Sequence, residues 1–128
     1  MKLAYVDTSC LVAIAFGEPG SVQLAERLER YDRRFASNLL EAELRSAFLR
    51  ERVDGSTETL LTWMTWVYPS RPLSREYARI ARAGYLKGAD MWHLAHAFYL
   101  APDGVGLDFV TLDERQRQMA SSVGLGIR

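Results

Sequence analysis

The sequence is short of several things at once. Cys10 is the only cysteine in 128 residues, which excludes an intrachain disulfide and a zinc site built on thiolates, and fits a reducing compartment. Net charge is missing too. Sixteen acids balance sixteen bases, so the composition lacks the basic footprint of a general nucleic-acid binder, and any anionic partner has to be held by a local patch. The apolar stretch from Cys10 to Phe16 is far too short to span a bilayer, and Lys2 and Asp7 near the start belong to no signal-peptide pattern, so a cytoplasmic protein with no membrane partner is expected. There is no internal repeat and no low-complexity tract, and the prolines and glycines fall singly between periodic segments. One domain over residues 1–128 follows.

What is present suffices for a proper core: 48% of residues are hydrophobic and 11% aromatic. Fourteen of the sixteen bases are Arg. That suits planar, bidentate contact with carboxylate or phosphate, although a GC-rich genome gives the same bias.

Hydrophobic spacing predicts a short buried strand over Lys2 to Val6 and a helix from Thr8 and Ser9 to about Phe16, ended by Gly17, Pro19 and Gly20. A second helix starts at Ser21 with Leu24, Leu28 and Tyr31 on one face, then Phe35 and Ala36 form a brief strand. Ser37 or Asn38 reads as the N-cap of a helix carrying Leu40, Leu44, Ala47 and Phe48. Asp54-Gly55-Ser56 reads as a turn, Thr57 to Trp66 as a helix with Leu60, Trp63 and Val67 inward, and Val67 to Ser70 as a short strand. Ser74 is placed as the cap of the next helix, with Tyr77 on its packed side. Ala89 to Leu100 is a strongly apolar helix, Leu107 to Leu112 the clearest strand, Glu114 to Val123 a helix, and Leu125 to Ile127 a last strand. Strands alternating with one or two helices imply an α/β fold whose parallel sheet is covered on both faces.

In such sheets ligands sit beyond the carboxyl ends of the strands, where strand order reverses. Asp7 directly follows the first strand, and Asp113 directly follows the strand near the C-terminus. Asp90 opens the apolar helix, and Glu43 lies one turn into the Asn38 helix at the border of its apolar face. Carboxylates gathered at one sheet edge repel unless a cation neutralises them. Oxygen ligands without Cys or a suitable His pair select Mg²⁺ or Mn²⁺. Thr8, Ser9 and Thr111 add hydroxyls able to orient an acid or a bound water. Metal-assisted phosphodiester hydrolysis is the chemistry this set suits. Each acid also has a plain structural reading. Asp7 can cap its helix, Asp113 with Gln116 or Thr111 with Glu114 can form a capping box, Glu43 and its neighbour Glu41 can be polar flank, and Asp90 suits a helix start whatever its role.

Four stretches, taken in order, go further: YVDTSCLVAI, ASNLLEAELRSAFLR, LKGADMWHLAHA and LDFVTLDERQRQMASSVGL. With them the chain resembles, over nearly its whole length, the PIN-domain ribonucleases, and among these the VapC-like toxins of toxin-antitoxin pairs. The resemblance implies a three-layer α/β/α domain with a central, mainly parallel, roughly five-stranded sheet. It implies an endoribonuclease, often a homodimer, that uses Mg²⁺ or Mn²⁺ and is inhibited by a cognate antitoxin protein. Matched position by position, the family's acids correspond to Asp7, Glu43, Asp90 and Asp113, and its supporting hydroxyls to Thr8 or Ser9 and Thr111. Asp7, Asp90 and Asp113 then hold metal, with Glu43 either a ligand through water or the group orienting the attacking water. Glu41 and Asp108 are the substitutes for Glu43 and Asp113, and strand alternation argues against Asp108.

Other constellations weigh less. Asp90 and His93 share a helix face, but His96 falls about 240° from Asp90 around the helix, which excludes a zinc site joining all three and leaves His93 a structural neighbour of the acids. Arg75, Arg79 and Arg82, with Lys87 beyond, read as a solvated helix face before a phosphate guide. Leu60, Trp63, Met64 and Trp66 read first as core or dimer interface, then as an antitoxin dock, and last as base-stacking surface. Two rival functions are a phosphatase with Asp7 as nucleophile, disfavoured because Ser9 stands where a second acid is wanted, and a PIN-like module that binds without cutting.

Overall fold

The computed structural model of the chain describes residues 1–53, 55 and 57–127. Its elements are, in order, β1 (Leu3–Val6), α1 (Thr8–Ala15), α2 (Ser21–Glu29), β2 (Arg33–Ser37), α3 (Leu39–Arg50), α4 (Glu58–Leu61), β3 (Thr65–Val67), α5 (Ser74–Ala83), α6 (Gly88–Leu100), β4 (Leu107–Val110), α7 (Glu114–Ser122) and β5 (Gly126–Ile127). The strands form one sheet in the order β3-β2-β1-β4-β5, and every pairing is parallel.

Alternation along the strands sorts the core into two layers. Tyr5, Leu107 and Phe109 turn to one face, where they pack with Ile80 of α5, Leu94 and Phe98 of α6 and Ala120 of α7. Ala4, Val6, Ala36 and Val110 turn to the other, against Leu11 of α1, Leu24 and Leu28 of α2, and Leu40 and Leu44 of α3. This is the three-layer α/β/α arrangement expected, with β1 sealed by helices on both sides: Ala4, Tyr5 and Val6 are fully buried.

The sequence expectations fail in one stretch. The helix expected over Thr57 to Trp66 is only the four residues of α4, and the strand expected over Val67 to Ser70 comes earlier, as β3. Pairing of Ala36 with Trp66 and Ser37 with Val67 draws Thr65 to Val67 into the ladder, so sheet pairing overrides local helical spacing. The buried residues here are Leu61, Met64 and, as expected, Val67, whereas Leu60 and Trp63 are only half-buried and pack against the edge of the core. Trp63 instead lies under the Arg34 guanidinium, 4.7 Å from ring centroid, and its carbonyl accepts from Arg34 Nε at 3.3 Å. Of the expected Asp54-Gly55-Ser56 turn, Asp54 and Ser56 lie outside the described residues. Two of the capping expectations also fall, those for α3 and α5: neither Asn38 at the start of α3 nor Leu73 at the start of α5 makes a side-chain cap bond, and Ser74 is already inside its helix.

The loop between β3 and α5 is tied back by a bidentate ion pair. Arg71 Nη1 and Nη2 donate to Glu76 Oε1 and Oε2, both at 2.8 Å. The Arg71 bonds hold the Glu76 carboxyl below its ordinary value, against the opposing effect of burial. A depressed folded-state value means the pair stabilises at neutral pH, and the contribution is lost as pH falls through that lowered value. Glu76→Gln should therefore melt earlier than the parent at pH 7 and converge with it in strongly acidic buffer; a difference independent of pH would mean that the pair contributes nothing beyond packing.

Candidate active site

From β1 the chain runs outward through β2 to β3, then crosses back so that β4 lies on the other side of β1. Strand order thus reverses between β1 and β4, and the crevice at their carboxyl ends is where this fold class places ligands. The ladder continues one residue beyond the strand, with Asp7 N–H donating to the Val110 carbonyl at 2.9 Å.

Asp7 is 6% exposed. Its Oδ2 accepts from Ser9 Oγ at 2.6 Å and from Thr111 Oγ1 at 3.0 Å, whereas the capping bond from Ser9 N is long, at 3.4 Å. The residue sits at the N-cap of α1, but the two hydroxyls orient the carboxylate more firmly than the cap does. Ser9 also accepts from Leu112 N, pinning the start of α1 to the loop after β4. Thr8 and Ser9 therefore divide their duties, because Thr8 Oγ1 donates to Glu43 Oε1 at 2.7 Å.

Asp113 caps α7, accepting from Gln116 N at 2.9 Å, while its own N–H donates to Thr111 Oγ1. Half a capping box is formed, since the Gln116 side chain does not return to Asp113. Its Oε1 lies 3.0 Å from Thr111 Oγ1, and its Nε2 donates to the Asp90 carbonyl at 3.3 Å. Fully buried Gln116 thereby fixes the start of α6 against the start of α7. The alternative box fails, as Glu114 pairs with Arg117.

Asp90 lies in the first turn of α6, half-buried, and its carboxylate makes no hydrogen bond among the described residues. Burial raises its carboxyl above the usual value, the charges of Asp7 and Asp113 raise it further, and His93 and Lys87 offset this only in part. The three aspartates consequently share one electrostatic neighbourhood. No Lys or Arg forms a salt bridge with any of them among the described residues.

Glu43 joins from α3. His93 Nε2 donates to its Oε1 at 2.8 Å and lies 4.0 Å from Asp7 Oδ1. The Glu43 carboxylate can only accept, which puts the ring's N–H on Nε2; Nδ1 of the neutral ring then accepts from Tyr5 Oη, 2.9 Å away, which itself accepts from Ser37 N–H at 3.2 Å. Burial pushes the Glu43 carboxyl up, yet the bonds from His93 and Thr8 outweigh it and leave it below its ordinary value. Glu43 is thus a carboxylate held in its ionised form, with its side chain 34% exposed toward the crevice. His93, expected only as a structural neighbour, is the residue that links Tyr5 to Glu43, and Gln116 and Tyr5 are additions that spacing did not single out.

The substitutes lie elsewhere. Glu41 pairs with Arg45 on the surface, and Asp108 Oδ2 accepts from Tyr31 Oη at 2.7 Å, away from the crevice. Arg79 departs from the expected solvated stripe: it stacks over Phe98 and donates to the Val123 carbonyl. Cys10 is inert, burial pushing its thiol up to about 12.

Among the described residues, no group of three or more His, Cys, Asp or Glu side chains is drawn together around one point ready for a metal. Asp7, Asp90 and Asp113 have the oxygen donors of a hard cation site, and the burial and like charge that raise the Asp90 carboxyl are what a divalent ion relieves.

The family model for the PIN domain matches residues 4–121. The fold is similar to that of VapBC2 from Rickettsia felis, bound in its structure to a DNA fragment from their promoter, with a TM-score of 0.70 and 15% identity over 98% of this chain and 97% of the other. It is similar also to VapBC-1 from nontypeable Haemophilus influenzae, with a TM-score of 0.66 and 18% identity over 98% of this chain and 96% of the other. No curated protein matches the chain.

Proposed function

The chain belongs to the PIN domain family, and from that premise we propose that it is a metal-dependent endoribonuclease, the toxin of a toxin-antitoxin pair. The observation that supports the reading is the placement of Asp7, Asp90 and Asp113 about the carboxyl ends of β1 and β4, where Asp7 and Asp113 raise the Asp90 carboxyl and no Lys or Arg among the described residues pairs with them. In this reading Asp7, Asp90 and Asp113 hold Mg²⁺ or Mn²⁺. When bound, the ion supplies a lowered pKa for water and charge stabilisation on the phosphoryl oxygens.

The rest falls to the side chains. Ser9 and Thr111 keep the Asp7 carboxylate aimed from the rigid end of β1. Thr8 and His93 keep Glu43 ionised, and so able to orient the attacking water and accept its proton. Attack by water, with the 3′-oxygen leaving, would give a 5′-phosphate and a free 3′-hydroxyl, whereas attack by the RNA 2′-hydroxyl would give a cyclic phosphate. Fold similarity to VapBC assemblies supports a cognate antitoxin as protein partner. A homodimer acting on RNA in the cytoplasm completes the proposal; among the described residues no helix is long and apolar enough to cross a membrane.

Purified protein incubated with RNA and Mg²⁺ or Mn²⁺ tests it. Cleavage that stops on chelation and leaves 5′-phosphates is expected, whereas cyclic phosphates formed in chelator would overturn it. A second test needs no substrate. Asp90→Asn removes a charge that burial and two neighbouring carboxylates oppose, against a helix-dipole benefit of only about 0.3–1 kcal/mol. In chelator the variant should melt a few degrees higher than the parent, and Mg²⁺ should stabilise the parent but not the variant. A variant less stable in chelator would contradict the acid-cluster reading.

A further inference from the structure

Beyond the acids, on the side of β3, lies a cavity of about 390 Å³ between the end of that strand and the flank of α6, at the small end of the range for ligand sites. We propose that it is the subsite for one unpaired nucleobase of the RNA beside the bond that is cut; this rests on the nuclease reading above.

The walls are aromatic and fixed. Trp92 Nε1 donates to Ser37 Oγ at 2.8 Å, locking the indole to the end of β2, and the His96 ring lies 4.6 Å from it between centroids, tilted by 31°. Tyr77 adds a half-buried face, and Tyr68, 68% exposed, stands at the rim. His96 itself is 3% exposed and donates from Nδ1 to the Trp92 carbonyl at 2.7 Å. Burial lowers its proton affinity, so the ring is neutral and Nε2 carries a lone pair. That Nε2 makes no hydrogen bond among the described residues, and it seeks an N–H donor.

Charge narrows the occupant. Arg71, the one cation that lines the cavity among the described residues, is bound by both oxygens of Glu76, so none of them offers it a free positive charge. A phosphate or carboxylate therefore has no counterion there, and a plain hydrocarbon leaves Nε2 unpaired. A neutral planar heterocycle with N–H edges satisfies both, which is the chemistry of a splayed base stacking on aromatic rings. Position agrees with this. β3 lies two strands from β1, roughly 10 Å at the usual spacing of about 4.8 Å, so a strand with its scissile phosphate at Asp7 brings a flanking nucleotide to the cavity. The same helix, α6, carries Asp90, His93, Trp92 and His96, coupling the two sites rigidly.

The test uses the full chain on single-stranded RNA that it cuts, with the base on either side of the cleaved bond replaced in turn by an abasic ribose. One replacement is expected to raise KM about tenfold, the effect of losing a base-on-aromatic stack, with kcat kept. Tyr68→Ala and His96→Phe should raise KM on the intact RNA and shrink that abasic penalty. Millimolar nucleoside monophosphate should shift the Trp92 indole N–H resonance in the parent and less in His96→Phe. A full abasic penalty in both variants, or no resonance shift in the parent, overturns the subsite. If no RNA is cut yet the nucleotide shifts the resonance, the nuclease reading falls and the base site stands. If the variants cut RNA normally but change the oligomeric mass of the chain, the cavity is a protein interface and the proposal is overturned.

Discussion

Asp7→Asn is expected to reduce metal-dependent RNA cleavage on the order of a thousandfold while leaving the fold standing. On the proposed reading Asp7 would be one charged ligand of an ion whose transition-state effect is several kcal/mol, at about 1.4 kcal/mol per factor of ten. Stability should move by less than about 1 kcal/mol, because Asn is as good an N-cap as Asp and fills the same volume. The hydroxyls can also adapt. Thr111 Oγ1 lies equally close to Gln116 Oε1 and can send its single proton there, and Ser9 Oγ can accept from the new amide. Asp7→Ala, by contrast, strips the acceptor from the Ser9 hydroxyl and removes the cap of α1, while Thr111 can still turn to Gln116, and should cost about 1–2 kcal/mol as well. Initial rates under saturating Mn²⁺, beside thermal melts of both variants, separate the two effects. A variant Asp7→Asn that keeps a tenth or more of parental activity would remove Asp7 from the metal site.

The second large effect belongs to His93. It is 1% exposed, and its two nitrogens join Tyr5, itself fully buried, to Glu43. His93→Ala leaves a cavity and a buried Tyr5 hydroxyl without its acceptor, together about 3 kcal/mol or more. Cleavage by the folded fraction should fall a further tenfold to hundredfold, the usual penalty for losing a group that orients a catalytic one. His93→Gln offers an amide that can donate toward Glu43, and recovery of part of the rate without full recovery of stability would mark a positioning residue. Activity tracking the folded fraction alone, across both variants, would mean that His93 only packs.

How much of this was legible beforehand depends on where each residue finds its partners. The strand from Leu107, expected to Leu112 and ending at Val110, and the α6 helix were legible because their apolar patterns answer to the core directly. Asp7 and Asp113 stand where the sequence places them, each at the N-cap of the helix that follows a strand. The start of α3 did not: Ser37 looks like a cap, but its hydroxyl receives the Trp92 indole N–H, donated from 55 residues away. β3 was misplaced for a similar reason, since Thr65-Trp66-Val67 continues a helical spacing until β2 claims it. His93 was visible three residues after Asp90, yet its role depends on Tyr5 and Glu43, which no local pattern joins to it. Local signals specify elements, and contacts between distant segments decide what their boundary residues do.

The central place of β1 has a consequence for how the protein is made. Its partner strand β4 and the acid Asp113 come from the last quarter of the chain, so Asp7 has no Val110 carbonyl to lean on and no Thr111 hydroxyl until nearly all of it has left the ribosome. Contacts this far apart in sequence close late in folding. A growing chain therefore carries Asp7 and Glu43 long before Asp113 and the strand that braces Asp7 have been made.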